Sequence, residues 1–430
     1  MNLSDRLESF LTAEALALIR LIRTEAERLD LPLYIVGGSV RDLLLGRAIN
    51  DFDLTVEGDA AQLAEVILRK YAGKVVFHSR FGTATWTLDE TTYKRLNVPM
   101  LGPATFPSFL DFISARSETY SQPGALPTVK RSTIDDDLRR RDFTINAMAL
   151  RLDGRYWGQL HDPLGGQADL ERGLIRSLHP NSFVDDPTRM LRAVRYAGRY
   201  DFQIEPVTLN LINDQARSVL SQLSGERLRH EVDLMFEESN PSVLLHRLAE
   251  LNLLNPIFSP LMHANFQLPY LDILPAEFGE FTIPDIMTFK RTLGWILWLM
   301  PLSEFDIDTI SKRVDFPALL TKSARAASTL LKKLPSVVNW TPSQWTFYLD
   351  EIPSIAIYAA YLMRKESALR DYLVHWRNVK PTITGDDLKE RGLEPGPRYA
   401  EILRQLRAAW LDGVVNNKEE ELRFLEIYGI

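Results

Sequence analysis

The chain has 430 residues, 45% of them hydrophobic and 25% charged, with a formal net charge of −7 and no cysteine. That length accommodates more than one domain and a sizeable core. The missing cysteine excludes disulfides, thiolate chemistry and sulfur-based zinc sites and fits a cytoplasmic protein, while the acidic balance argues against a globally basic nucleic-acid binder.

The first 30 residues carry acids and bases throughout and read as an amphipathic helix rather than a secretory leader. No apolar run approaches a membrane span, so no membrane partner is expected. Tyr34 to Val36 reads as a short buried strand, Gly37 and Gly38 as a turn that brings bare backbone to a ligand, and Val40 to Leu45 as a helix. A helix start behind two glycines suits phosphate, and Arg41 adds a charged donor to the same anion. Asp51-Phe52-Asp53-Leu54 reads as a strand whose alternate residues share a face, so the two carboxylates emerge together. Their mutual repulsion calls for a divalent cation, and hard oxygen ligands beside phosphates suit Mg²⁺.

Ala60 to Tyr71 has helical spacing, and 74–78 and 82–88 read as strands, giving a mixed sheet with helices on one side. A strand over Leu110 to Ile113 turns Asp111 away from Phe112, either as a third acid beside the pair or as an exposed strand acid. From Ser117 to Thr133, Pro123, Gly124 and Pro127 with no clear period predict a mobile loop. Asp153-Gly154 signals a hairpin turn. His161 lacks histidine neighbours at metal-ligand spacing and reads as structural. From Leu138 to Arg199 there are eleven Arg, no Lys and seven acids, a basic patch in an acidic chain. Asp186 can cap a helix that opens at Pro187, and it is also a neighbour of Arg189 on one helix face.

Strand, Gly37-Gly38 turn, Arg41 helix and Asp51-x-Asp53, in that order, resemble the signature of the nucleotidyltransferase superfamily that includes DNA polymerase beta. With Arg140-Arg141-Asp142-Phe143-Thr144-Ile145-Asn146-Ala147-Met148 and the run Asp185-Asp186-x-x-Arg189, the chain resembles the class II tRNA nucleotidyltransferases, that is, the bacterial-type CCA-adding enzymes and their poly(A) polymerase relatives. The resemblance implies an α+β chain: an N-terminal helix at 1–30, a catalytic head with a mixed sheet at 31–150, a neck at 151–238, a helical body at 239–380 and a tRNA-binding helical tail at 381–430. It implies template-independent addition of C and A from CTP and ATP to the tRNA 3′ end by two-metal chemistry with Mg²⁺. Asp51 and Asp53 would hold the metals, with Asp111 assisting. Gly37, Gly38, Arg41 and Arg141 would hold triphosphate, and Asn146 would fix sugar or backbone.

Asp186 and Arg189, an acceptor beside a donor fork, match the amino group and ring nitrogen edge that cytosine and adenine share and uracil and guanine lack. Arg192 and Arg195 drift about 60° per three-residue step round the helix and are assigned to phosphate or to covering the metal site. Asp185 departs from the family's usual Glu, and no phosphohydrolase domain is recognisable at the C-terminus. In the family a shortened loop accompanies CC-only addition, so the intact 117–133 segment favours enzymes that add A. A-only addition, poly(A) tailing and an inactive RNA-binding protein are the alternatives, and no obligate protein partner is implied.

The second half is helical by period, with Trp295, Trp298, Trp340, Trp345 and Trp376 read as packing residues. Glu226 to Val232 opens a structural helix. Thr384 caps a short helix that Gly392 ends, and Pro395-Gly396-Pro397 leads into a final long one.

Overall fold

The computed structural model describes residues 1–47, 53–78, 82–96, 109–264, 266, 268, 271, 278 and 285–426. Two compact units make up the chain, Met1–Leu223 and Ser224–Ile430. The fold is α+β.

Unit one begins with two helices, α1 (Ser4–Phe10) and α2 (Ala13–Arg28), rather than one: the Thr12 hydroxyl accepts the Ala15 N–H and restarts the second. The strands follow as β1 (Leu33–Val36), β2 (Asp53–Val56), β3 (Lys74–His78), β4 (Thr83–Thr87), β5 (Phe109–Ser114), β6 (Arg116–Thr119), β7 (Thr128–Arg131), β8 (Ala149–Arg151) and β9 (Gln159–His161). Among the described residues, seven of them form one mixed sheet in the order β3-β4-β5-β2-β1-β8-β9. The pair β2–β5 is parallel and the others are antiparallel.

After α3 (Gly38–Leu44) comes α4 (Ala60–Tyr71), capped by Asp59, which buries Ala60, Leu63, Ala64 and Ile67 at three- and four-residue spacing. Trp86 and Phe112 stack 6.5 Å apart in the same core. The β8–β9 hairpin forms where Asp153-Gly154 predicted a turn, but the connection is longer and includes a 3₁₀ turn at Gly154–Tyr156.

The mobile loop expected at 117–133 is corrected: β6 and β7 pair antiparallel from Arg116↔Arg131 to Thr119↔Thr128. Apart from Val129 their side chains are polar, so no apolar alternation marks the strands.

Helix α5 (Glu90–Leu96) lies between β4 and β5, and the ribbon is followed by α6 (Ile134–Arg139), α7 (Gly166–Glu171), α8 (Ser182–Asp185) and α9 (Thr188–Tyr200). Helix α9 begins one residue after the expected Pro187 start, and Asp186 still accepts the Thr188 N–H at 3.2 Å as a cap would.

Unit two is helical. Phe236, Trp295 and Trp298 meet in edge-on and tilted contacts 5.3–6.2 Å apart, and a Cβ on Gly294 would strike the Phe236 ring. Trp345 is buried, while Trp340 and Trp376 are half-buried. Thr384 and Asp387 form a capping box on Gly385–Glu390, and Pro397–Leu411 follows. Among the described residues no helix is long and apolar enough to cross a membrane.

Candidate active site

The Gly37 turn is built to receive a guanidinium. Gly37 sits at φ +70° and donates its N–H to the Met148 carbonyl at 3.0 Å. A Cβ there would run into Arg141 Nη1, so the bare Cα lets Arg141 lie on the turn. A Cβ on Gly38 would come within 3.3 Å of Arg41 Nη2. Arg41 is 4% exposed. Its Nε and Nη2 grip the two Asp42 oxygens at 3.0 Å each, and its plane lies 4.7 Å from the Tyr200 ring centre and 5.5 Å from that of Tyr196. Burial works to lower the Arg41 pKa, but the Asp42 bonds outweigh it and hold the guanidinium above its ordinary value.

From Arg41 a continuous relay runs to the arginine helix. Arg41 Nη1 donates to Asn146 Oδ1, and Asn146 Nδ2 donates to Asp142 Oδ1 at 2.9 Å. Asp142 also accepts the Phe143 N–H at 2.8 Å and, on its other oxygen, Arg192 Nε at 2.9 Å and Nη2 at 2.6 Å. Burial pushes the Asp142 carboxyl up, yet Arg192 and Asn146 prevail and hold it at about 2. Asn146 lies on a 3₁₀ turn, Thr144–Asn146, anchored where the Thr144 hydroxyl donates to Asp169 at 2.7 Å and where Gly166 leaves no room for a Cβ against the Thr144 carbonyl.

Arg141 donates to the fully buried Asp137 at 3.0 Å, while its buried Nε has no hydrogen-bond partner. Asp137 also takes two bonds from Arg140 and the Arg116 N–H. Burial opposes its ionisation, but Arg141 and Arg140 hold its pKa below the ordinary value.

The acids lie on neighbouring parallel strands. Asp53 and Asp111 are register partners, so they share a face about 5 Å apart along the hydrogen-bonding direction. The Thr85 hydroxyl, from the strand on the other side, donates to Asp111 at 2.6 Å. Asp51 lies outside the described residues. Among the described residues no group of three or more acidic, histidine or cysteine ligands gathers. The donors that Asp53 and Asp111 offer are hard carboxylate oxygens, the type Mg²⁺ prefers.

On α9 the arginines are engaged. Arg189, 5% exposed, donates through Nη1 to Ser182 Oγ at 2.9 Å and through Nη2 to the Arg140 carbonyl at 2.7 Å and the Tyr120 hydroxyl at 3.5 Å. Asp186 accepts the Thr188 hydroxyl at 2.7 Å. Arg195 is buried with its guanidinium 4.9 Å from the Tyr196 ring centre. His161, read as structural, sits 2.5 Å from Asp135.

Arg41, Asn146, Asp142 and Arg192 are thus one bonded assembly, Arg141 lies against Gly37 and is held by Asp137, and Asp53 with Asp111 forms a second pair. Sequence reasoning passed over Asp42, Asp137, Asp142, Tyr120, Tyr196 and Tyr200. Asp42 and Asp142 each adjoin a singled-out arginine, which was a usable signal. Nothing in spacing pairs Asp142 with Arg192, 50 positions away.

A family model described as the poly A polymerase head domain matches residues 33–176, and one described as the probable RNA and SrmB-binding site of polymerase A matches 201–266. The chain is 33% identical to the A-adding tRNA nucleotidyltransferase of Halalkalibacterium halodurans, over 98% of this chain and 95% of that one. It is 37% identical to the CC-adding tRNA nucleotidyltransferase of Deinococcus radiodurans, over 93% and 90%. It spans 46% and 44% of two longer A-adding relatives. The Thermotoga maritima CCA-adding enzyme complexed with tRNA-CCA superposes with a TM-score of 0.74 at 28% identity, covering 100% of this chain and 99% of that one.

Proposed function

The chain belongs to the tRNA nucleotidyltransferase and poly(A) polymerase family, and from that premise we propose that it adds C and A from CTP and ATP to the 3′ end of tRNA, releasing pyrophosphate. The observation that carries this reading is the relay Arg41–Asn146–Asp142–Arg192, which ties the glycine turn to the arginine helix in one unit. A triphosphate on the turn and a base beside α9 then fall on the same rigid support.

In this reading Arg141, with its buried unpartnered Nε, and Arg41 hold triphosphate oxygens. Asp51 and Asp53 hold Mg²⁺, which when bound supplies charge neutralisation for the transferring phosphoryl group. Asp111, oriented by Thr85, faces the attacking 3′ hydroxyl and accepts its proton. Asn146 reaches the nucleotide only by yielding one of its two protein bonds, so we assign it to positioning Arg41 ahead of touching sugar. Arg192 holds Asp142, and Arg195 lies along the Tyr196 ring and lends its charge to the phosphate side. Asp186 and Arg189 choose the base. The tail at 381–430 meets tRNA, and the working compartment is the cytoplasm.

Near full-length similarity to an A-adding enzyme favours a second reading, addition of the terminal A alone. Purified protein given tRNA lacking CCA, tRNA ending in C and tRNA ending in CC, each with single labelled nucleotides, separates the readings. Full activity puts C on the first two and A on the third; A on the CC end alone selects the second reading. Asp53→Ala should abolish incorporation, and full incorporation by that variant would reject the metal assignment.

A further inference from the structure

We propose that the open face of strands β3, β4 and β5 is the cradle for the RNA end being extended, with the Phe109 ring stacking on its last base. The proposal rests on the metal-holding and proton-accepting roles given above to Asp53 and Asp111.

The two faces of these strands differ. Ala84 and Trp86 of β4 and Leu110 and Phe112 of β5 point one way and are buried. Helix α4 covers that side: Ser114 Oγ accepts the Ala60 N–H at 3.0 Å at its start, and Trp86 Nε1 donates to the Ala72 carbonyl at 2.8 Å at its end. Alternation sends Lys74, Val76, Thr85, Thr87, Phe109 and Asp111 the other way. Among the described residues that second face is open: Phe109 is 49% exposed and Val76 40%, and Lys74 and Thr87 are exposed as well.

Register sets these side chains beside the acids. One row across the sheet reads Val76, Thr85, Asp111, Asp53, and the next reads Lys74, Thr87, Phe109. Two residues along a strand span about 7 Å, so Phe109 stands one short step from the carboxylate pair. A half-exposed ring there adds nothing to the core and offers a flat apolar surface to whatever reaches the acids.

The chemistry decides which substrate that is. In-line transfer places the attacking and leaving oxygens on opposite sides of the phosphorus. Arg41 and Arg141 lie at the glycine turn that follows β1, and β1 flanks β2 on the side away from β5. Pyrophosphate therefore leaves toward β1, and the attacking 3′ hydroxyl arrives over β5 with its preceding nucleotides over β4 and β3. A single-stranded RNA end brings unpaired base faces and phosphates, and open sheet faces bearing aromatic rings bind such strands. Phe109 meets a base, Lys74 a phosphate and the threonine hydroxyls the sugar and phosphate oxygens. Stacking is indifferent to base identity, which suits an end whose last base changes as nucleotides are added.

Phe109→Ala removes the ring from an exposed position, and Phe109→Tyr keeps it. Phe77→Ala is the control, because Phe77 is 44% exposed but lies in the row of Ala84 and Phe112 on the opposite face. The experiment measures KM for tRNA and for CTP and ATP separately, and the fluorescence of bound tRNA carrying 2-aminopurine as its last base. Phe109→Ala should raise the tRNA KM about tenfold, the scale of one base stack, while the nucleotide KM stays within about twofold. The bound 2-aminopurine should brighten in the same variant, because the ring that quenches it is gone. Phe109→Tyr and Phe77→Ala should match the unaltered protein in all of these. An unchanged tRNA KM in Phe109→Ala, or a nucleotide KM that rises equally, would overturn the cradle. If the unaltered protein extends no tRNA end, the proposed function itself fails, a result distinct from failure of the cradle alone.

Discussion

The two units bury different things. Unit one encloses Arg41, Asp137, Asp142, and Arg189 and Arg195 of the arginine helix itself, each less than a tenth exposed. Unit two encloses Phe236, Trp295, Trp298 and aliphatic side chains, with few charges among its described buried residues. Buried charge costs several kcal/mol per ion in desolvation and is offset only through well-aligned partners, so stability alone does not explain its accumulation in one unit. What it contributes is fixed direction: a charged relay holds its donors in set orientations, whereas an apolar cluster supplies cohesion without orientation.

The sharpest way to break this contrast is to empty the aromatic cluster. Trp298→Ala should cost about 3–5 kcal/mol in urea unfolding, while the nucleotide KM of the protein that remains folded stays as before. A changed KM would show that the apolar unit also orients the site. Asp142→Asn comes next. Losing a carboxyl held from its ordinary 3.8 down to about 2 should cost about 2 kcal/mol. Here KM should rise as well, because Arg192, Asn146 and through it Arg41 lose a shared anchor; destabilisation without a kinetic effect would make the relay merely structural.

Acid titration extends the same comparison. A carboxyl whose folded pKa is depressed contributes fully above its unfolded value and loses that contribution as pH falls through the folded one. Unit one should therefore lose about 2 kcal/mol from Asp142 between pH 4 and 2, and Asn at that position should flatten the loss. The smallest effect is expected at Phe305, 77% exposed on a helix of unit two: Phe305→Ser should shift stability by less than about 0.5 kcal/mol.

Much of the architecture was legible because periodicity is local. The 60–71 helix and the 74–78 strand end where their patterns end, and Asp111 turns away from Phe112 as alternation requires. The 117–133 ribbon was not legible. Its strands are stabilised by Glu118, Tyr120 and Gly124 bonding to partners far along the chain, and proline and glycine in the connecting turn looked like disorder. The single N-terminal helix split in two for a smaller reason, the cap at Thr12.

Residue types and their order determined the chemistry on offer: two acids in an alternating Asp-x-Asp run, a glycine turn beside an arginine, and an acid three residues before an arginine. Those signals lie within one element or one turn, where backbone geometry fixes which side chains are neighbours. Only the tertiary structure decided that Asp111 sits in register with Asp53, that Arg192 is held by Asp142, and that Arg189 is braced by a tyrosine 69 positions earlier. The physical reason is that a buried charge takes whichever partner the fold brings within hydrogen-bond reach, and separation along the chain does not enter that choice.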